Sequence, residues 1–414
     1  MSYRYIILFT FMLTIFVVLD LYIWYALRKT SKKKAFKRFK WLIPFTTFLF
    51  FFGFIANLYR SSIGIFNANL VINIIVGFSF GVFIAKLIMA TPFLIEDLIR
   101  LSLWIISRFK KKSNRNKSYT ERRRFVRNLS LSLAAVPVIG TIYGITKGKY
   151  NYQLKRIPLV SKRLPEAFDG LNIVQFSDFH AGSFDNYVAV REGLEAINAR
   201  NPDLVLFTGD LVNNHALESE PFLEMLKQIK APLGKFAILG NHDYGDYVSF
   251  DSEEAKAKNM DHLFTNFKKA NFDLLLNENR TIQKEGGQIQ IIGVENWGQA
   301  PFPQHGDLDR ATKGLDPDKF SILLSHDPDH WEYRAREHPF PFDLTLSGHT
   351  HGAQFGVEIP GWKWSPVKYR YKRWMGLYQE GDQYLFVSKG FGFLGFPGRI
   401  GMMPEIVEFN LSRT

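Results

Sequence analysis

The chain of 414 residues is long enough for two or three folded units, and its 52 Lys+Arg against 39 Asp+Glu give a formal net charge of +13. The charge belongs to one half: residues 1–150 hold 24 basic and 4 acidic side chains, so the remainder is mildly acidic and has no basic stripe, which excludes a nucleic-acid partner. The absence of cysteine excludes a disulfide scaffold, a thiolate zinc site, an iron–sulfur cluster and a cysteine nucleophile together, and leaves the compartment open.

Ile6 to Ala26 is an apolar run with one charge, Asp20, and has the length of about twenty residues that crosses roughly 30 Å of hydrocarbon. It is too long for a cleavable leader and is followed by no small-residue cleavage site. Asp20 lies near the end of the run, within reach of the interface. Arg28 to Lys40 then carries eight basic and no acidic residues. Trp41 to Tyr59 is a second expected span and Val71 to Met89 a third, with Gly77 and Gly81 spaced as a face on which another helix can pack. Phe93 to Phe109 places Glu96, Asp97 and Arg100 among apolar residues at helical spacing, which predicts a separate helix lying in the interface. A second basic stretch, Arg108 to Arg127, leads to a fourth apolar run, Leu129 to Ile145, whose Pro137, Gly140 and Gly144 suit either a span or a re-entrant helix. Keeping both basic stretches in the cytoplasm puts the amino terminus outside and, with four spans, everything after Ile145 outside as well. The expected organisation is a membrane anchor over 1–146, a polar Pro-containing linker over 147–165 and a globular domain over 166–414.

In the domain, short apolar runs ending in polar clusters predict strands at Leu171–Phe176, Leu204–Phe207, Phe236–Leu239, Ile289–Ile292, Phe320–Leu324, Leu344–Leu346 and Tyr384–Val387. Helical stretches at Tyr187–Arg200, Pro221–Ile229 and Glu253–Ala270 alternate with some of them, the rhythm of a layered α/β fold.

Five of these strands are followed by metal-compatible residues: Asp178-Phe-His180, Gly-Asp210, Gly-Asn241-His242-Asp243, Ser-His326-Asp327 and Gly-His349-Thr-His351-Gly. The carboxyl ends of strands in an open α/β sheet converge on one crevice, so clusters distant in sequence can meet there. Alternation along an extended chain would put Asp178 and His180 on one side, and His349 and His351 likewise. Gly209, Gly240 and Gly348 allow the sharp turns that aim the next side chain inward. Taken singly each cluster is no more than a polar loop.

In this order the five clusters resemble the motifs of the calcineurin-like metallophosphoesterases, D-x-H, G-D, G-N-H-D, H and G-H-x-H, over most of Leu171 to Gly352. The resemblance implies a four-layer α/β sandwich, two sheets flanked by helices, preceded here by an all-α transmembrane region. It further implies that Asp178, His180, Asp210 and His351 hold one metal ion and Asp210, Asn241, His326 and His349 a second, with Asp210 shared. Two neighbouring cations need such a shared carboxylate to offset their repulsion, and oxygen and imidazole ligands without thiolate suit Mn²⁺, Fe or Zn²⁺. In the family the histidine at His242 contacts phosphate and helps the leaving oxygen depart, and Asp243 beside it would orient its imidazole. His215, His262, His305, His330 and His338 match no family position and are expected at the surface.

Gly390 to Met403 spaces Phe391, Phe393, Leu394, Phe396, Ile400 and Met402 by glycines around Arg399. It reads either as a buried segment or as a loop resting on lipid with Arg399 meeting the substrate phosphate. Trp362 to Trp374 is a second aromatic and basic cluster, of the composition found at membrane interfaces. The GHTHGAQ sequence and the Arg399 to Glu405 stretch resemble the membrane-associated bacterial branch similar to UDP-2,3-diacylglucosamine hydrolases. The expected function is a membrane-anchored, dinuclear-metal phosphoesterase cleaving a phosphoester or pyrophosphate bond of a lipid-linked substrate, with membrane lipids as partners. The alternatives are a general phosphodiesterase for soluble substrates and an inactive binding protein that keeps the fold.

Overall fold

A segment without polar side chains can satisfy its backbone in hydrocarbon only as a helix, and the apolar runs of the amino-terminal half fold in that way. The computed structural model describes residues 3–28, 41–62, 70–109 and 119–413 and divides into two units, Met1–Thr146 and Lys147–Thr414. The first unit holds helices α1 (Tyr3–Arg28), α2 (Leu42–Ser62), α3 (Leu70–Phe109) and α4 (Tyr119–Thr146). Most of the first basic stretch, 29–40, and residues 110–118 of the second lie outside the described residues.

Three of these helices, over Phe9–Arg28, Ile74–Arg108 and Glu121–Thr146, are long and apolar enough to cross a membrane, and Leu42–Ala56 is a shorter apolar helix. The expected interfacial helix at Phe93–Phe109 is not separate. It continues the third apolar run in one helix of 40 residues with Pro92 inside, because a proline removes a single donor and the apolar sequence runs on through Leu94, Ile95, Leu98 and Ile99. Gly81 meets a neighbouring helix: a Cβ there would lie 2.1 Å from Thr141 Oγ1. Asp20 does not reach towards an interface. It is buried, 2.7 Å from Lys86 Nζ, and accepts a hydrogen bond from Thr47 Oγ1 at 2.7 Å. Lys86 also donates to the Ile43 carbonyl at 2.7 Å, so a buried ion pair with its own hydrogen bonds ties three helices.

The second unit is built on two six-stranded sheets. The first has the order β1 (Gln153–Val160), β14 (Glu405–Ser412), β2 (Leu171–Phe176), β3 (Leu204–Phe207), β4 (Lys235–Ala237), β5 (Asp273–Leu274). The second has the order β12 (Gly376–Glu380), β13 (Gln383–Val387), β9 (Leu344–Ser347), β8 (Ser321–Leu324), β7 (Gly287–Gly293), β6 (Glu278–Lys284). A small hairpin, β10 (Val357–Ile359) and β11 (Trp362–Trp364), stands apart from both. The expected linker over 147–165 is instead part of the sheet: Gln153–Val160 forms an edge strand in parallel register with Glu405–Ser412.

Alternation along the strands fixes the layers. Ile173, Leu204, Leu206 and Val407 of the first sheet share a buried cluster with Ile289, Ile291, Ile322, Leu324 and Leu346 of the second, the core between the sheets. The alternate residues Val174, Phe176, Val205 and Phe207 pack instead in a cluster with Val190, Leu194 and Ile197 of α5 (Tyr187–Asn198), Leu223 and Leu226 of α6 (Leu223–Lys227), and Leu263 and Phe267 of α7 (Glu253–Lys269). On the far side Ile292, Leu323, Leu385 and Val387 join Leu308 and Ala311 of α8 (Leu308–Thr312) and Trp331 of α9 (Pro328–Tyr333). The result is the four-layer α/β sandwich, with each fully buried Leu, Ile, Val or Phe contributing about 1.5–3 kcal/mol.

Candidate metal centre

The loops after β2, β3, β4, β8 and β9 converge, and they do so through unusual backbone. Asp178, His180, Asp210, His349 and His351 all have φ between 50° and 70°, a conformation that costs a residue with a Cβ of order 1 kcal/mol or more and persists where the surroundings enforce it. The pincers expected from extended alternation therefore arise differently: left-handed residues reverse the chain and hold both members of each D-x-H and H-x-H pair in the crevice. Glycine is required at the crossings. A Cβ on Gly240 would lie 2.2 Å from Asp210 Oδ1 and one on Gly348 2.0 Å from Ser177 Oγ, while Gly209 itself has φ +94°.

The seven expected ligands come together. Asp178, His180 and His351 offer ligand atoms within 4.8 Å of one another, as do Asp178, Asp210 and His326, so the two tight groups share Asp178. Nε2 of His180 lies 3.0 Å from Nε2 of His351 and 3.5 Å from Asp210 Oδ2. His326 Nε2 is 3.2 Å from that same Oδ2. Asn241 Oδ1 lies 2.8 Å from His349 Nδ1. All seven are buried or nearly so.

The remaining ring nitrogens are tied down from behind, by groups that sequence reading missed because they come from other loops. His326 Nδ1 contacts the Thr208 carbonyl at 2.7 Å and His180 Nδ1 contacts Asn213 Oδ1 at 3.1 Å. An N–H donated to each oxygen leaves Nε2 facing the centre. His349 Nε2 is held at 2.7 Å by the Tyr371 hydroxyl, with Asp327 Oδ2 at 3.5 Å. The Tyr247 hydroxyl accepts a hydrogen bond from Asn241 Nδ2 at 2.8 Å, which leaves the amide oxygen free to turn inward.

Burial and charge act oppositely on these groups. Burial lowers the pKa of His180 to about 3 despite Asp210 nearby, and burial with His326 lowers that of His349 to about 3. His326 is the exception: burial opposes its charge, but Asp210 and Asp178 outweigh it and raise the pKa to about 10. Burial raises Asp178 to about 6. Asp210 is also opposed by burial, yet the surrounding histidines hold it well below the usual carboxylate range. His326 Nε2 is buried and, among the described residues, faces the Asp210 carboxylate at 3.2 Å without hydrogen-bond geometry. Buried carboxylate oxygens and imidazole nitrogens within 4.8 Å of one another, with no thiolate among them, are a donor set that fits divalent metal.

Two expected roles change. Asp243 does not orient the His242 ring. Its Oδ2 accepts from the backbone N–H of Asp210 and Gly240 at 2.8 and 2.9 Å, and its Oδ1 from Leu211 and Val212 at 2.8 and 3.2 Å. The ring of His242 is held instead by the Asn213 carbonyl, 2.9 Å from Nδ1. Arg399 faces no substrate: it is 0% exposed and its guanidinium donates to the carbonyls of Lys389, Gly392 and Met402. Its Nη2 also lies 3.2 Å from His351 Nδ1, so it supports the loop and that imidazole. Phe391, Phe393 and Met402 are buried with it, which makes Gly390–Met403 core rather than a lipid-facing loop. His330 is likewise not a surface histidine; it is buried against Trp297 with Nδ1 2.8 Å from Ser325 Oγ.

Comparison with known proteins gives the family. Residues 171–353 match the family described as calcineurin-like phosphoesterase, and residues 3–149 the family described as probable calcineurin-like phosphoesterase, transmembrane domain. The chain is 30% identical over 299 residues to the uncharacterized metallophosphoesterase YkuE of Bacillus subtilis, covering 71% of this chain and 98% of that one. It is 27% identical over 299 residues to a transmembrane protein with metallophosphoesterase domain from Bos taurus, covering 69% of this chain and 63% of that one, under two thirds of its length. It is 27% identical over 271 residues to the UDP-2,3-diacylglucosamine pyrophosphatase LpxG of Chlamydia muridarum, covering 56% of this chain and 79% of that one. The chain belongs to the calcineurin-like metallophosphoesterases and is a metal-dependent phosphoester hydrolase.

Proposed function

We propose that the centre holds two divalent ions, Mn²⁺, Fe or Zn²⁺, with Asp178, His180, Asp210 and His351 on one and Asp210, Asn241, His326 and His349 on the other, and that it hydrolyses a phosphoester or pyrophosphate bond of a lipid-linked substrate. The observation that carries the metal reading is the convergence of buried ligand atoms, Asp178 with His180 and His351 and Asp178 with Asp210 and His326, each group within 4.8 Å. Bound there, such ions supply positive charge to the phosphoryl oxygens and make water a stronger acid. The chain's own part in turnover falls to His242. Its Nδ1 lies 2.9 Å from the Asn213 carbonyl, which leaves Nε2 as the atom that gives its proton to the leaving oxygen when the ring is the imidazolium, the ring ending neutral with Nδ1–H on that carbonyl. Asp243 keeps the Asp210 loop in place and Arg399 keeps His351 in place.

The lipid-linked substrate is supported by the relative LpxG, whose name specifies a diacylated sugar nucleotide, and by helices long and apolar enough to cross a membrane in the same chain. The protein is read as a multi-pass protein of a bacterial cell membrane with the catalytic domain on the extracytoplasmic side, from the two basic stretches. The test is the purified full chain in detergent, stripped and reloaded with each metal, assayed on monoesters, diesters and pyrophosphates bearing long, short or no acyl chains. Each buried methylene contributes about 0.8 kcal/mol, so catalytic efficiency should climb steeply with chain length. Indifference to chain length would leave a general phosphodiesterase, and no hydrolysis with any metal would remove the dinuclear assignment.

A further inference from the structure

The hairpin β10–β11 is inverted. Its register pairs Val357 with Trp364, Glu358 with Lys363 and Ile359 with Trp362, so Val357, Ile359, Trp362 and Trp364 share one face and Glu358 and Lys363 the other. A half-buried sheet turns its apolar face inward. Here the polar face is the one attached to the domain: Glu358 accepts a hydrogen bond from Lys389 Nζ at 2.7 Å, and Lys363 Nζ donates to the Met375 carbonyl at 2.6 Å. The apolar face is open, with Ile359 and Trp362 each 54% exposed. Phe355 extends it beside Trp364, and Tyr369, 76% exposed, accepts a hydrogen bond from Trp364 Nε1 at 3.4 Å. Sequence composition marked this segment as aromatic and basic; the register adds which side is presented.

We propose that this face is a membrane-docking surface that enters the headgroup and acyl boundary of an anionic bilayer. Three observations select lipid over a protein partner. Trp362, Trp364 and Tyr369 make up half of the patch, and their amphipathic rings favour that boundary. Residues 355–373 carry five basic side chains against one acidic; Lys368 is exposed beside the patch, and Arg370 and Lys372, exposed at its edge, are each also paired with a carboxylate of the domain, Asp329 and Glu332, so Lys368 is the group that matches anionic headgroups most directly. The same chain holds helices fit to cross a bilayer, so a lipid surface is constantly at hand. The hairpin begins three residues after the turn carrying His351, and Tyr371 just beyond it holds His349. Docking therefore brings the rim of the metal centre to the depth of the headgroups, whichever phosphoester is hydrolysed.

The absence of cysteine makes a direct test available. Ile359→Cys in the full chain, labelled with an environment-sensitive nitrobenzoxadiazole dye, is reconstituted in nanodiscs of phosphatidylcholine and phosphatidylglycerol, with and without a nitroxide quencher near the top of the acyl chains. Glu254→Cys, on the exposed face of α7, is the control. Surface-bound amphipathic segments bury their apolar face about 5–10 Å into the boundary, so the dye at 359 should emit in the blue and lose most of its intensity to the quencher, while the dye at 254 does neither. Water-like, unquenched emission at 359 overturns the proposal. Blue emission at 359 that the lipid quencher does not reach also overturns it, because a protein surface then covers the face. Equal quenching at both positions overturns it as non-specific adsorption.

Discussion

Asp243 offers the sharpest test of how the centre is held. Its sequence neighbour suggests an imidazole-orienting role, whereas its carboxylate accepts four backbone N–H groups, from Asp210, Leu211, Val212 and Gly240. Asp243→Ala strands four buried donors. An unsatisfied buried donor costs about 1–3 kcal/mol, so even if entering water recovers two of them, a loss of about 2–6 kcal/mol remains. That is a large share of the roughly 5–15 kcal/mol by which a folded domain exceeds its unfolded state. Asp243→Asn should be nearly as damaging, because one oxygen keeps two bonds while the amide hydrogens meet the other two N–H groups. Thermal unfolding of the full chain in detergent, read with metal content from mass spectrometry, should show a lower melting temperature and loss of metal in both variants, since Asp210 follows the loop. A variant with unchanged melting temperature and full metal but depressed turnover would refute the backbone role and restore the orienting one.

The division of labour at the centre is separable: Asp210→Asn should reduce bound metal, whereas His242→Ala should keep it and cut turnover roughly a hundredfold or more; equal metal loss in both would sink the assignment. Metal affinity should rise with pH by about tenfold per unit between roughly pH 6.5 and 10, because His326, protonated up to about pH 10 in the metal-free protein, must lose a proton to bind, while His180 and His349 are already neutral. The sign for the metal-free fold is opposite: the raised pKa of His326 contributes stability that is complete below pH 6.5 and is lost as pH rises through about 10. Titration calorimetry at pH 7 in buffers of different ionisation enthalpy reads the released proton, and an absence of release contradicts it. For orientation, single cysteines at Ser31, outside the described residues, and at the exposed Glu254 should be labelled in intact cells by an impermeant thiol reagent only at the second position; silence at both would put the domain inside. In the membrane unit, Asp20→Asn or Lys86→Met alone should destabilise by about 3–5 kcal/mol through a stranded charge, and the double variant should recover most of it; a double variant as unstable as the worse single one would show that the pair is not the source.

Much of the catalytic unit could be read from local signals. Leu204–Phe207 is buried on both faces and runs as an unbroken apolar stretch, and Leu171–Phe176 is apolar but for Asn172 and Gln175; both have sharp polar ends. Those ends carry the ligand residues, so strand and site were found by the same pattern. Gln153–Val160 gave no such signal. It is an edge strand in which only Ile157 and Leu159 are buried, its Pro158 suits an edge, and its partner β14 lies at the other end of the chain. Burial on one face and a distant partner together erase the strand from a local reading.

Asp243 and Arg399 differ from their expected roles for a related reason: adjacency in sequence is not adjacency of function. Asp243 follows His242, yet the turn at Asn241–Tyr244 sends the carboxylate towards the backbone of 210–212 and the imidazole towards the Asn213 carbonyl. Arg399 sits among exposed-looking glycines and aromatics, yet the carbonyls freed by irregular backbone around Gly390 and Gly392 need a donor, and a buried guanidinium supplies several at once. Asp20 looked solitary because Lys86 hides in another apolar run, and only helix packing brings the two charges to 2.7 Å. In each case the residue type was legible and its partner was not, since partners are chosen by the three-dimensional need to satisfy buried donors, acceptors and charges. The same need explains why the ligand set was recoverable: seven oxygen and imidazole donors, five of them on left-handed backbone, converge in one buried place where a cation can satisfy several at once.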